Sequence, residues 1–150
     1  MEDTLEAVQL FEGLDILCNI VLPDDLYAMV DLGTNGRPLV GLATGPLPEP
    51  LWRISLTAWD GKVAKAYIGA SSGNAFWNTG SAQFGPGAIA IMPDNHSTIL
   101  LTLQPQKQNS FLLQAAYEPG GNIGPAQGPN FAYLSTGAAA PVLVTLKSSN

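Results

Sequence analysis

The sequence predicts an all-β fold, an antiparallel β-sandwich of jelly-roll-like character, and three observations predict it. Short segments alternate apolar and polar residues with a period of two, Gly or Pro turn signals recur every dozen residues or so, and no long helical period competes. The chain has 150 residues with 16 Gly and 12 Pro, a length that one domain spanning residues 1–150 accommodates with a full hydrophobic core. No repeat of solenoid or propeller length is visible.

Residues 3–12 could open as a short helix or an arm reaching to residue 13, because Asp3 or Thr4 can cap it and Leu5, Val8 and Phe11 fall roughly on one face. From Leu14 the period changes to two: Leu14, Ile16, Cys18, Ile20 and Leu22 alternate against Asp15 and Asn19. Leu26 to Leu32 continues the pattern, and Asn35-Gly36 turns into Leu39 to Ala43. Residues 44–50 carry three prolines and read as a stiff connector, since proline lacks the donor that a central strand needs.

The clearest local signal is a hairpin. Trp52, Ile54, Leu56 and Ala58 alternate with Arg53, Ser55 and Thr57, and Asp60-Gly61 turns into Val63 to Ala70. A two-residue loop sets Lys65 opposite Leu56 on the apolar face, a conflict that a longer loop, a bulge or an edge position relieves. Residues 71–87 read as a long Gly/Ser/Asn loop carrying Phe76, Trp77 and Phe84. Strands resume at Ala88 to Met92, Ile99 to Leu103 and Phe111 to Tyr117; a flexible stretch from Pro119 to Asn130 precedes Phe131 to Ser135 and Val142 to Leu146. The expected total is eight to ten strands.

Only 12% of residues are charged, yet the formal net charge is −6. Residues 1–31 hold eight acids and no Lys or Arg, whereas the rest of the chain holds four acids and all six bases. No basic patch or arm exists to neutralise phosphate, which argues against direct nucleic-acid binding. The acidic start either solvates a terminus or docks on a basic neighbour. It also lacks the bases of a signal peptide, and Asn19 interrupts the longest apolar run, so neither export by that route nor membrane spanning is expected. Without such a signal the Asn95-His96-Ser97 glycosylation triplet reads as chance.

Catalytic and metal chemistry find little material, and the expectation is a chain that is not an enzyme and holds no cofactor. His96 is the one histidine and Cys18 the one cysteine, too few for a zinc site or an internal disulfide. A Cys18–His96 dyad is conceivable, but Cys18 lies on the apolar side of a strand, where a slow, buried thiol is the usual outcome. Paired carboxylates would need Glu49 and Glu118 to meet across loops. Gly120 to Gly124 lacks the spacing, the Lys and the following helix of a phosphate loop. Asp24-Asp25 and Asp94-Asn95 read as turns, without the alternating ligand ladder of a calcium loop.

The aromatics carry the remaining signal. Trp52, Trp59 and Trp77 with Tyr67 and Phe76 could form a stacking platform for a glycan. Trp52 fits the core better, Trp59 falls on the opposite face beside the turn, and Trp77 has amide neighbours that suit a sugar or a subunit contact equally. A weakly charged surface rich in amides and hydroxyls favours the contact. The interface candidates are Phe76, Trp77, Phe84, Trp59, Leu5, Val8 and Phe11. In overall character, acidic, β-rich and low in Cys, the chain resembles the small auxiliary structural proteins of tailed bacteriophages; the resemblance is compositional and covers no motif. It implies a virion structural protein assembled in the host cytoplasm, most specifically a capsid decoration or cement subunit, with a tail or fibre component or a glycan-binding sandwich as alternatives. Its partners are then itself and a major capsid or other virion protein, and both chain ends are expected to be held by the sheet or by a neighbour.

Overall fold

The computed structural model describes residues 10–31, 38–71, 74–79, 88–93, 96–116, 121–127 and 132–147. Expectations that fall on Leu5, Val8, Phe84, the Asn35-Gly36 and Asp94-Asn95 turns and both chain ends lie outside the described residues. Within them the fold is nearly all antiparallel sheet and sandwich-like, with no α-helix. Consequently no helix among the described residues is long and apolar enough to cross a membrane.

The described residues form twelve strands: β1 (Asp15–Leu22), β2 (Leu26–Asp31), β3 (Leu39–Thr44), β4 (Trp52–Trp59), β5 (Val63–Ala70), β6 (Ala75–Asn78), β7 (Ala90–Pro93), β8 (Ile99–Leu103), β9 (Ser110–Ala115), β10 (Gly124–Gln127), β11 (Ala132–Ser135) and β12 (Leu143–Lys147). Two lie where the sequence predicts loops. β6 sits inside the Gly/Ser/Asn stretch and β10 inside the segment read as flexible, because each is only four residues long and takes its order from neighbouring strands. The N-terminal helix is not seen at its described end: Gly13, at φ +96°, completes a turn in which the Leu14 amide donates to the Phe11 carbonyl.

The pairings return on themselves. β1 pairs with β4, β4 with β5, β5 with β8, β8 with β9, β9 with β12 and β12 with β1. A second circuit leaves the end of β1 through β2, β3, β7 and β6 and rejoins at Gly69 of β5. Closure of this kind removes sheet edges that would otherwise template aggregation. Inside lie the period-two residues: Ile16, Cys18 and Ile20 of β1, Trp52, Ile54 and Leu56 of β4, Ala64, Ala66 and Ile68 of β5, and their counterparts on β8, β9 and β12. Trp52 and Trp77 meet edge to face, 5.3 Å between ring centroids, at the centre of this core.

The Lys65 conflict is relieved by a bulge. Leu56 faces Ala66, but Ala58 faces Lys65 and Trp59 faces Ala64, so Thr57 is the extra residue. Its hydroxyl donates to the Lys65 carbonyl at 3.1 Å, and Lys65 stays in water. A one-residue slip reverses which face each later side chain occupies. Trp59 therefore turns to the core side and packs partly against the cluster, which corrects its expected outward position. The Asp60 carboxylate closes the hairpin by accepting from the amides of Lys62 and Val63 at 2.9 and 2.8 Å; hydrogen bonds from the Val63 and then the Lys62 amide hold its pKa below the ordinary carboxylate value.

Candidate functional site

On the outer face of β1, β4, β5 and β6 the same alternation sets side chains in two cross-strand rows. Register aligns Asp15 with Ser55 and Tyr67 in one, and Leu17 with Arg53, Gly69 and Phe76 in the other. Ser55 Oγ donates to Asp15 Oδ1 at 2.6 Å, and Arg53 Nη1 lies 3.5 Å from Asp15 Oδ2. Both charged side chains are about half exposed, so this ion pair fixes geometry more than it stabilises, contributing at most about 1 kcal/mol.

Gly69 makes the second half of this arrangement possible. A Cβ there would sit 2.7 Å from Phe76 Cδ1, so the Phe76 ring lies directly over the glycine. Tyr67 meets Phe76 edge to face at 5.8 Å, and His96 stacks on Tyr67 at 4.4 Å. Between the aromatic pair and the Asp15–Arg53–Ser55 group opens a shallow cavity of about 200 Å³. Its two walls differ in kind, one aromatic and one hydrogen-bonding.

A second concavity, of about 360 Å³, lies where Leu10, Trp59, Leu103 and Phe111 meet Gln104, Gln108 and Lys107. The Gly13 amide donates to the Leu56 carbonyl, which brings the 10–13 segment against the end of β4. Phe11, beside Leu10, is 53% exposed. A third cavity, of about 410 Å³, is lined by Asp24, Asp25, Lys107 and Lys147 among others. Among the described residues no three His, Cys, Asp or Glu side chains gather as a metal site.

The predicted interface residues are dispersed by the fold. Trp77 belongs to a strand, not a loop, and is fully buried, so it is a core residue and offers no surface to a partner. Its Nε1–H has no hydrogen-bond partner among the described residues. Phe76 is half-buried on the outer face, Trp59 lines the second concavity, and Phe11 follows Leu10, which lines it too. The aromatics thus divide: Trp52 and Trp77 go inward, and Tyr67 and Phe76 form an outer cluster joined by His96, which the sequence predicts in a turn after Asp94 and Asn95. Alternation along β5 pointed to Tyr67; nothing local indicated that His96 would reach it.

Cys18 and His96 occupy opposite sides of the sheet, one in the core and one on the exposed cluster. Burial pushes the Cys18 thiol up to about 12, which leaves almost no thiolate near neutrality. The folded protein at mildly alkaline pH is expected to resist a disulfide reagent that labels the urea-unfolded chain promptly; rapid labelling without unfolding would show that Cys18 is reached by solvent.

No family model, curated protein or solved structure matches the chain, so a reading of its function rests on this geometry.

Proposed function

We propose that this chain is a non-enzymatic structural subunit that works by packing against protein, in its most specific form a capsid decoration or cement subunit that oligomerises on a virion shell. The observation that carries the reading is the concavity lined by Leu10 and Trp59, with Leu10 followed in the chain by Phe11, whose ring is largely exposed. Apolar side chains and amides make up most of its wall, the mixture found at the centre of protein contacts, and among the described residues Lys107 is the charged side chain on it. A chain with 12% charged residues has few means of keeping such a surface apart from copies of itself. The occupant is a second copy of this chain. The acids at the start of the chain, Glu2, Asp3, Glu6 and Glu12, supply a different contact, against a basic surface of the shell protein. They also disfavour an inward, genome-facing position.

Light scattering coupled to size exclusion tests the self-contact. The intact chain is expected to run as an oligomer, and Phe11→Ser to weaken association about tenfold or more, since burying one Phe is worth about 1.5–3 kcal/mol. Phe11 is exposed, so the variant keeps its fold. A single monomeric species at high concentration, or an oligomer indifferent to Phe11→Ser, overturns the reading.

A further inference from the structure

We propose that the outer cavity between Tyr67–Phe76 and Asp15–Arg53–Ser55 binds one neutral hexose ring of a glycan. This goes beyond the assembly reading and uses a different face of the molecule. A pyranose presents C–H bonds on its faces and hydroxyls around its rim. It therefore needs an apolar aromatic wall next to groups that both accept and donate hydrogen bonds. The cavity supplies both within about 200 Å³, below the roughly 300–1,000 Å³ of sites for larger ligands, which suits a single ring.

Each wall is built before any ligand arrives. Phe76 is held over Gly69 and braced by Tyr67, which His96 backs on its stacked face. Asp15 already accepts from Ser55 and faces Arg53, yet an ionised carboxylate has about four lone-pair sites and Arg carries five N–H donors. Capacity remains for vicinal hydroxyls. The remaining ligand classes fit less well. Asp15 offsets the charge of Arg53, and the chain carries −6, so a phosphate or an acidic sugar meets no net attraction. Among the described residues Asp15 is the one carboxylate on the cavity wall, which is too few for a cation. A purely apolar ligand would strip water from the Asp15–Arg53 pair without replacing its hydrogen bonds.

The test is a titration of the ¹⁵N-labelled full chain with D-glucose, D-galactose and N-acetyl-D-glucosamine, read by amide chemical shifts, with glycerol as a polyol control. At least one hexose is expected to give saturable shifts centred on Ser55, Tyr67, Gly69 and Ala70, in the millimolar range. Tyr67→Ala is expected to weaken that binding about tenfold, the scale of one aromatic contact. Asp15→Asn, at a half-exposed position, serves as a second variant and is expected to weaken it while leaving the rest of the spectrum in place. Gly69→Ala displaces the Phe76 ring and should abolish it. Absence of saturable shifts with all three sugars, shifts reproduced by glycerol, or binding unchanged in both Tyr67→Ala and Asp15→Asn overturns the proposal. Tighter binding of N-acetylneuraminic acid than of the neutral sugars overturns the neutral class.

Discussion

Trp52→Ala is expected to lower the free energy of unfolding by about 3–5 kcal/mol, the range for removing a large aromatic from a packed core. Three losses add up at this position. The side chain is fully buried, its ring meets Trp77 edge to face at 5.3 Å, and its Nε1–H donates to the Ala28 carbonyl at 2.9 Å. That last bond ties β4 to β2, two strands that are not neighbours in the sheet. Against a typical total of about 5–15 kcal/mol, the loss brings the domain close to unfolding at ambient temperature. Urea denaturation followed by far-ultraviolet circular dichroism measures it without relying on the deleted fluorophore. Trp52→Phe separates the contributions: it restores most of the packing but leaves a buried carbonyl unpaired, at about 1–3 kcal/mol. If Trp52→Ala cost under about 1 kcal/mol, well below the usual range, the pair with Trp77 would not be the centre of the core.

The strands legible in the sequence are those long enough to show a period. β4 and β5 declare themselves through Trp52, Ile54 and Leu56 against Arg53 and Ser55, and even their bulge is foreshadowed by Lys65 opposing Leu56. Its position is not, since Thr57 carries no local mark of being the extra residue, and so the outward placement of Trp59 inverts. β6 and β10 are invisible for a different reason. Four residues cannot establish alternation, and the Gly, Ser, Asn and Pro around them are the composition of loops. The candidate sugar site inherits that opacity, because Phe76 belongs to β6 and its place depends on Gly69 one strand away. Asn19 misleads most simply. Polar and out of phase with Ile16, Cys18 and Ile20, it reads as solvent-facing, yet it is only 2% exposed.

Asn19 is buried because β1 changes partners there. Residues up to Cys18 pair with β4, and from Asn19 onward the strand pairs with β12 and then β2. The chain entering β4 comes from the proline-rich connector, where Pro46, Pro48 and Pro50 have no amide hydrogen to offer a ladder. Asn19 takes the place of the missing strand pairing: its Nδ2–H donates to the Glu49 carbonyl at 3.1 Å, and its Oδ1 accepts from the Leu51 amide at 3.0 Å. Asn19→Leu removes both bonds and is expected to cost about 2–4 kcal/mol, with the Leu51 amide left unpaired and the Glu49 carbonyl turning to water. Amide hydrogen exchange locates the damage, since Leu51 should exchange far faster than in the parent while Leu113 in the core stays protected. Asn19→Asp adds a pH dependence of defined sign. Burial raises the folded-state pKa of the new carboxyl above its unfolded value, so the variant is most stable below the unfolded value and loses stability as pH rises through the folded one. Protonated, the carboxyl donates to the Glu49 carbonyl; ionised, it opposes that oxygen. A Leu51 amide that keeps its protection in Asn19→Leu would mean that the connector is held by something other than this side chain, and the start of β4, with Arg53, would then be set independently of Asn19.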